Sequence, residues 1–300
     1  MTACGQQGAP RVFVSGSRGS WPEETPIPHT AMNLPTLSLR QTLLSATLAL
    51  TACGGEGASL RFSANENRAQ AASALVSALE PLGPSAPTFS SEGLTFTLTE
   101  ALIHLKDIRL DLPQGTKCAD VRGLLSGATC QGGESGSGSG TVVVPGPIVV
   151  DLMTGATQPD LSGLRLPAGT YKRIDFRLEE AEAGEVATGP LVGYSLLARA
   201  TFTRDGADNI LDLKLKFSED ARFQSATGVT VDADDELLAL LKPQAWLEGL
   251  PVASCLQSGD LQLSSNVLYL DERAQGACGD AETLVKNNIK NSGDLRKAKE

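Results

Sequence analysis

The segment Tyr194–Phe217, YSLLARATFTRDGADNILDLKLKF, alternates apolar and polar residues on both sides of Asp205-Gly206. A period of two puts successive side chains on opposite faces of a strand. Tyr194, Leu196, Ala198, Ala200 and Phe202 therefore share one face, and Leu211, Leu213, Leu215 and Phe217 form the matching face after the turn. Asp-Gly suits such a turn because glycine, and to a lesser degree aspartate, tolerates positive φ. The segment predicts a β-hairpin with one buried face, which commits the chain to a sheet-based core.

Other stretches repeat the pattern. LTFTLTE alternates Leu94, Phe96 and Leu98 against threonines. ALIHLKDIRLDL carries Ile103 and Leu105, then Ile108, Leu110 and Leu112; the parity change near Lys106-Asp107 predicts a β-bulge that keeps both halves facing the core. TVVV and PIVVDLM add strand signals. In LRLPAGTYKRIDFRLEE, Pro167 and Gly169 supply a turn, after which Ile174, Phe176 and Leu178 alternate inward. Aromatic content is only 4%, and 31 glycines with 16 prolines mark a turn-rich all-β chain rather than a helical bundle.

Helices are expected only at the margins. Leu75, Val76, Leu79 and Leu82 have helical spacing in NRAQAASALVSALEPL, which follows a polar tether with a strand signal at Leu60 to Phe62. Near the end, ELLALLKPQAWLEGL predicts a strand stopped at Pro243 and a helical turn bearing Trp246. LQLSSNVLYL reads as a last strand. DAETLVKNNIKNSGDLRKAKE predicts a C-terminal helix with an acidic first turn, Leu284, Val285 and Ile289 on one side, and a frayed basic end.

The N-terminal part has a different logic. MNLPTLSLRQTLLSATLALTAC starts at Met32, carries one positive charge at Arg40 and an apolar run from Leu43 to Leu50, and places small residues before Cys53. That is the layout of a secretory signal peptide, with an apolar core too short to span a bilayer. Leu50-Thr51-Ala52-Cys53 resembles the lipobox of bacterial lipoproteins. The resemblance implies diacylglycerol on the Cys53 thiol, cleavage before it and acylation of the new amino group, hence membrane anchoring by several chains. Residues 1–31 have no sustained period and read as a start-site overcall ahead of Met32. Gly54-Gly55 after the cysteine, by the enteric sorting analogy, implies the outer membrane.

The expected organisation is thus residues 1–31 outside the mature protein, 32–52 a signal peptide, 53–90 a tether with a short helix, 91–270 a β domain with a flexible insertion at 113–140, and 271–300 a helical appendage. Cys118, Cys130, Cys255 and Cys278 are an even set in an exported chain, which reads as two disulfides. Loop-closure entropy favours near neighbours, so the expected pairs are Cys118–Cys130 and Cys255–Cys278. A four-cysteine zinc site is disfavoured by the absence of any C-x-x-C pair.

A second resemblance rests on the turn Leu166–Tyr171. The L-P-x-G-x-Y turn leading into a strand is similar to one in transthyretin-like and collagen-binding-B-like sandwiches. The order of apolar strand, DL, LPAGTY, long hairpin and KP, over residues 93–250, resembles an uncharacterised family of bacterial lipoproteins, a domain of unknown function. The implied fold is an antiparallel β-sandwich, transthyretin- or immunoglobulin-like, at an envelope address. Tyr171, with Pro167 and Gly169, is given a packing or corner role.

Net charge of −10 opposes binding to nucleic acid or anionic head groups, and residues 1–52, with three arginines and two glutamates, leave the remainder one charge more negative. Chemistry-bearing residues are few. Of two histidines, His29 leaves with the leader, and His104 stands in a strand between Ile103 and Leu105. No G-x-S-x-G or H-E-x-x-H motif is present, and Met153 is the sole mature methionine, so neither a hydrolase nor a copper site is nominated. No cofactor is implied and no metal site assigned; DADDE offers one calcium alternative in Asp232, Asp234 and Glu236, against a solvated acidic turn. EF-hand spacing fails, because Leu237 and Pro243 stand where glycine and glutamate belong. The functional expectation is a non-enzymatic envelope module that binds a protein or glycan through loops. Trp246 beside a groove would indicate a glycan; calcium-dependent adhesion and envelope hydrolysis are the alternatives.

Overall fold

A computed structural model describes residues 57–65, 86–133, 138–185, 189–271 and 273–298. Cys53, the leader and the expected helix at 67–82 lie outside the described residues. The elements run β1 (Ser59–Ser63), β2 (Thr88–Ser91), β3 (Leu94–Asp111), α1 (Cys118–Val121), β4 (Thr129–Gln131), β5 (Thr141–Asp151), β6 (Thr157–Gln158), β7 (Gly169–Leu178), β8 (Leu196–Arg204) and β9 (Ala207–Leu215). They continue through β10 (Glu219–Val231), β11 (Glu236–Leu241), α2 (Val252–Ser258), β12 (Leu263–Ser264), β13 (Val267–Tyr269), α3 (Ala281–Asn291) and β14 (Gly293–Lys297). The class is all-β: an eleven-stranded sheet, and a three-stranded sheet of order β1-β11-β14.

The long strand β3 organises the larger sheet. Along one edge it pairs with β2 and then β5; along the other it pairs with β8 as far as Ile103–Leu196 and with β7 from Leu105–Leu178. The register shifts between Leu105 and Asp107, where the parity of apolar residues predicts a bulge. Gly146 of β5 faces that bulge: a Cβ there would lie 2.4 Å from the Lys106 carbonyl oxygen, so only glycine lets the two backbones approach. A second register shift lies between Leu98 and Glu100. It moves burial from Phe96 and Leu98 to Ala101, Ile103 and Leu105, keeping all of them inside. The β8–β9 hairpin forms in the expected register, closing at Arg204–Ala207 around Asp205 and Gly206, with φ of 53° and 77°.

Four expectations differ from the structure. The described part of the tether, residues 57–65, is built into the body: β1 pairs in parallel with β11, and Ala58 and Phe62 are buried. Phe62 meets Phe176 of β7 edge-on at 6.0 Å, which ties the small sheet to the large one. The insertion at 113–140 is structured over most of its length, with α1 linked to β4 by Cys118–Cys130. LQLSSNVLYL is not one strand but the tight hairpin β12–β13, turned by Ser265 and Asn266 at positive φ. Finally, α3 stops before Gly293, and the basic end continues as β14, antiparallel to β11 from Leu241–Gly293 to Leu237–Lys297. Any β-carbon at Gly293 would strike the Phe223 ring, so the chain passes that ring as bare backbone before entering the sheet.

The main core is an apolar cluster spanning both sheets, with two small clusters apart from it, one around Leu191 and Leu197 and one around Leu238 and Leu240. Phe89, Phe96, Phe202 and Trp246 form a run of ring contacts at 4.9–6.2 Å, and Trp246 is fully buried, so it is a core residue and not part of any binding groove. Outside the sheets, Cys255–Cys278 joins α2 to the turn before α3. This bond closes a 23-residue separation. Replacing Cys255 and Cys278 together by serine is expected to lower the unfolding free energy by about 3 kcal/mol, as expected for loops of that size. Urea denaturation of the oxidised wild type and the double variant measures the difference; identical midpoints would refute the bond's role.

Candidate functional site

The turn singled out by its motif is a structural corner. Tyr171 lies on β7 with no exposed surface, and its hydroxyl donates to the Pro167 carbonyl at 2.7 Å. Burial pushes its phenol well above the usual tyrosine range. Gly169 has a φ of 147° and packs its α-carbon against Pro113, where a Cβ would come within 2.6 Å. The turn forms one wall of an open groove of about 1070 Å³, whose other wall includes Asp111, Thr116 and Ser139. Two polar contacts cross it: Arg173 Nε lies 2.9 Å from Asp111 as an ion pair without hydrogen-bond geometry, and the Ser139 hydroxyl donates to the Pro113 carbonyl at 3.0 Å.

His104 sits where β3 exchanges β8 for β7, and its side chain is 2% exposed. Its backbone N–H donates to the Ser195 carbonyl at 2.8 Å, Nδ1 lies 2.8 Å from the Glu179 carbonyl oxygen, and Nε2 lies 3.4 Å from Glu185. The nearby Ser195 hydroxyl is spent on Phe217, donating to its carbonyl at 2.8 Å and accepting its N–H at 2.9 Å. The imidazole thus fastens β3 to the segment after β7, and the hydroxyl fastens the segment before β8 to the one after β9.

The acidic residues of the β10–β11 loop go to separate partners. Asp235 accepts the Asp232 N–H and pairs with Lys297 on β14 at 2.6 Å; the backbone donor first, and the ammonium second, hold its carboxyl below the usual range. Asp234 occupies the loop at a φ of 73°, and Glu236 pairs with Arg61 on β1 at 2.7 Å. Asp232, Asp234 and Glu236 are not assembled as a set; among the described residues no three His, Cys, Asp or Glu side chains are grouped to hold a metal ion.

A different constellation appears where β9, β13 and the start of α3 meet. A cleft of about 380 Å³ is lined by Tyr194, Asp212, Lys214, Lys216, Tyr269 and, among others, Arg273. Asp212 is the outward-facing partner of Arg199 on β8 and Tyr269 on β13. Its side chain is 8% exposed, with Arg199 and Lys214 each 3.6 Å away, beyond hydrogen-bond length, and Oδ1 has no hydrogen-bond partner. Lys216 lies over the Tyr194 ring at 5.7 Å, and Arg273 over the Tyr269 ring at 4.3 Å. Arg273 also grips Asp271, whose carboxyl is thereby held low. No motif in the sequence announces this cleft, although the alternation ILDLKLKF already puts Asp212, Lys214 and Lys216 on the outward face of β9.

No protein-family model, curated protein or solved structure matches the chain.

The corner is directly testable. Tyr171→Phe removes one buried hydrogen bond and is expected to cost about 1 kcal/mol at neutral pH. Because the folded state holds the Tyr171 proton more tightly than the unfolded state, wild-type stability is complete below the ordinary tyrosine pKa of about 10 and declines as pH rises above it. Tyr171→Phe should flatten that alkaline decline in denaturation curves taken across the range; an unchanged slope would contradict the assignment.

Proposed function

We propose that this chain is a lipid-anchored protein of the bacterial cell envelope, at the outer membrane, whose β body is a transthyretin- or immunoglobulin-like sandwich that binds a protein or glycan without catalysing a reaction. The observation that carries the reading is the pair of disulfides, Cys118–Cys130 and Cys255–Cys278, in a chain whose Leu50–Cys53 segment resembles a lipobox. Such bonds persist in oxidising compartments, and the lipobox supplies the route to one. The arrangement of His104 supports a binding rather than a catalytic role, since its imidazole is enclosed and engaged at the β3 switch point. Tyr171 and the four cysteines carry structure.

The reading has a geometric consequence. Four residue steps separate Cys53 from Gly57, and these span at most about 14 Å when extended. The amide of the next residue, Ala58, is already bonded to Leu166 at 2.8 Å, so a lipidated Cys53 holds the β1 end of the body close against the bilayer surface. Loops remote from that end are the ones presented to partners.

Metabolic labelling with radioactive palmitate checks the anchor. Wild type is expected to incorporate label and to sediment with membranes, whereas Cys53→Ala loses both properties; equal labelling of the two would overturn the proposal.

A further inference from the structure

We propose that the cleft between Tyr194 and Tyr269 binds a neutral saccharide, with Asp212 as its principal hydrogen-bond acceptor. This names a ligand class for the binding module proposed above and depends on that reading for its location only.

Asp212 is the starting point. A carboxylate oxygen that is buried and without a donor costs free energy, and native proteins rarely leave one so. Arg199 and Lys214 neutralise the charge at 3.6 Å on either side, but neither donates to Oδ1. The group is therefore compensated as a charge while one oxygen of a carboxylate that lines the cleft lacks a donor. A ligand O–H or N–H in the cleft supplies a donor to this carboxylate.

The surroundings select among ligands. The lining carries three carboxylates, of Asp212, Asp271 and Glu282, and three cations, of Lys214, Lys216 and Arg273. An anionic ligand meets the carboxylates and a cationic ligand meets the ammonium and guanidinium groups. Moreover, the tyrosine rings that would cage a cation are each already covered by one. A neutral molecule with many hydroxyls escapes both repulsions. Each hydroxyl donates once and accepts twice, so it can give a proton to Asp212 and take one from Lys214 or Lys216. Both tyrosines line the cleft and are half-buried, so each keeps part of its amphipathic side chain exposed for contact with a sugar. The volume, about 380 Å³, falls at the lower end for small-ligand sites and suits one or two sugar rings.

Placement agrees. Asp212 lies on β9 and Tyr269 on β13, both on rigid sheet, and Glu282 is held toward Lys286 at 2.7 Å on α3. These groups are already positioned before any ligand arrives, which keeps the ordering cost of binding small.

The test uses the full-length protein extracted from membranes in a non-glycosidic detergent, since alkyl glycosides would compete. It is applied to a printed array of neutral hexose and N-acetylhexosamine oligosaccharides beside sialylated and sulfated ones, and the strongest neutral oligosaccharide is then titrated calorimetrically. Retention of neutral oligosaccharides is expected, with about tenfold weaker binding by Asp212→Asn and by Tyr269→Ala, and unchanged binding by Arg173→Ala in the other groove. Should Asp212→Asn fail to fold, Lys214→Ala and Lys216→Ala, at half-exposed and exposed positions, read the same cleft. Failure to bind any neutral oligosaccharide at millimolar concentration, retention of charged ones only, or neutral binding insensitive to the cleft variants overturns the proposal. Cys53→Ala, assayed in parallel, separates the two readings: it should lose palmitate and keep the sugar. If labelling persists without sugar binding, only the ligand assignment falls; if sugar binding persists in a wild type that takes no label, only the anchor falls.

Discussion

A strand that is long enough to serve two neighbourhoods must change partners without losing its buried face. β3 meets this constraint with two register shifts, one after Leu98 and one at Lys106, and each restores an apolar residue to the inside. Between them, His104 marks the place where β8 gives way to β7. Its backbone N–H reaches Ser195 ahead of β8 and Nδ1 reaches Glu179 after β7, while Nε2 lies 3.4 Å from Glu185 with no hydrogen bond of its own. Unpaired backbone groups at such a place would be costly in an apolar interior. The only histidine among the described residues is therefore explained by architecture.

The ends of the chain are drawn into the same body. β1 and β14 flank β11, so residues that look like tether and tail form the small sheet and bury Phe62, Leu237 and Leu295 with the main core. Ion pairs of Arg61 with Glu236 and Lys297 with Asp235 lie along its edges. Arg61 and Asp235 are largely buried in these pairs, which fix which loop stands beside which strand. The acidic loop is thereby occupied by its own sheet's cations.

Charge on the outward face of β8 and β9 has another character. Glu100, Arg199, Asp212 and Lys214 run across neighbouring strands, and only the central carboxylate is buried. β13 then lays Tyr269 beside it by parallel pairing. A surface ladder of opposite charges thus becomes the floor of a small enclosure once α3 and β13 wall it in, and the same groups change from solvated surface to a ready set of donors and acceptors.

Local periodicity was sufficient for the β8–β9 hairpin, for the bulge at Lys106, for the strand stop at Pro243 and for both near-neighbour disulfides, because each depends on residues close in the chain and on the two-residue repeat of side chains across a sheet. The same alternation separates Asp212 from the apolar face of β9. It carries no information on what comes to lie beside that face, since β13 arrives from more than fifty residues away through a parallel pairing with no turn to announce it. Nor does it distinguish an edge segment from a tether: Leu60 and Phe62 acquire their burial only because β11 is there to pair with them. The residue types, the strand faces and the disulfide pairs were written in the chain itself, whereas the burial of Trp246, the incorporation of both ends and the enclosure around Asp212 were decided by tertiary packing, because a side chain's exposure is set by its neighbours in space and not by its neighbours in sequence.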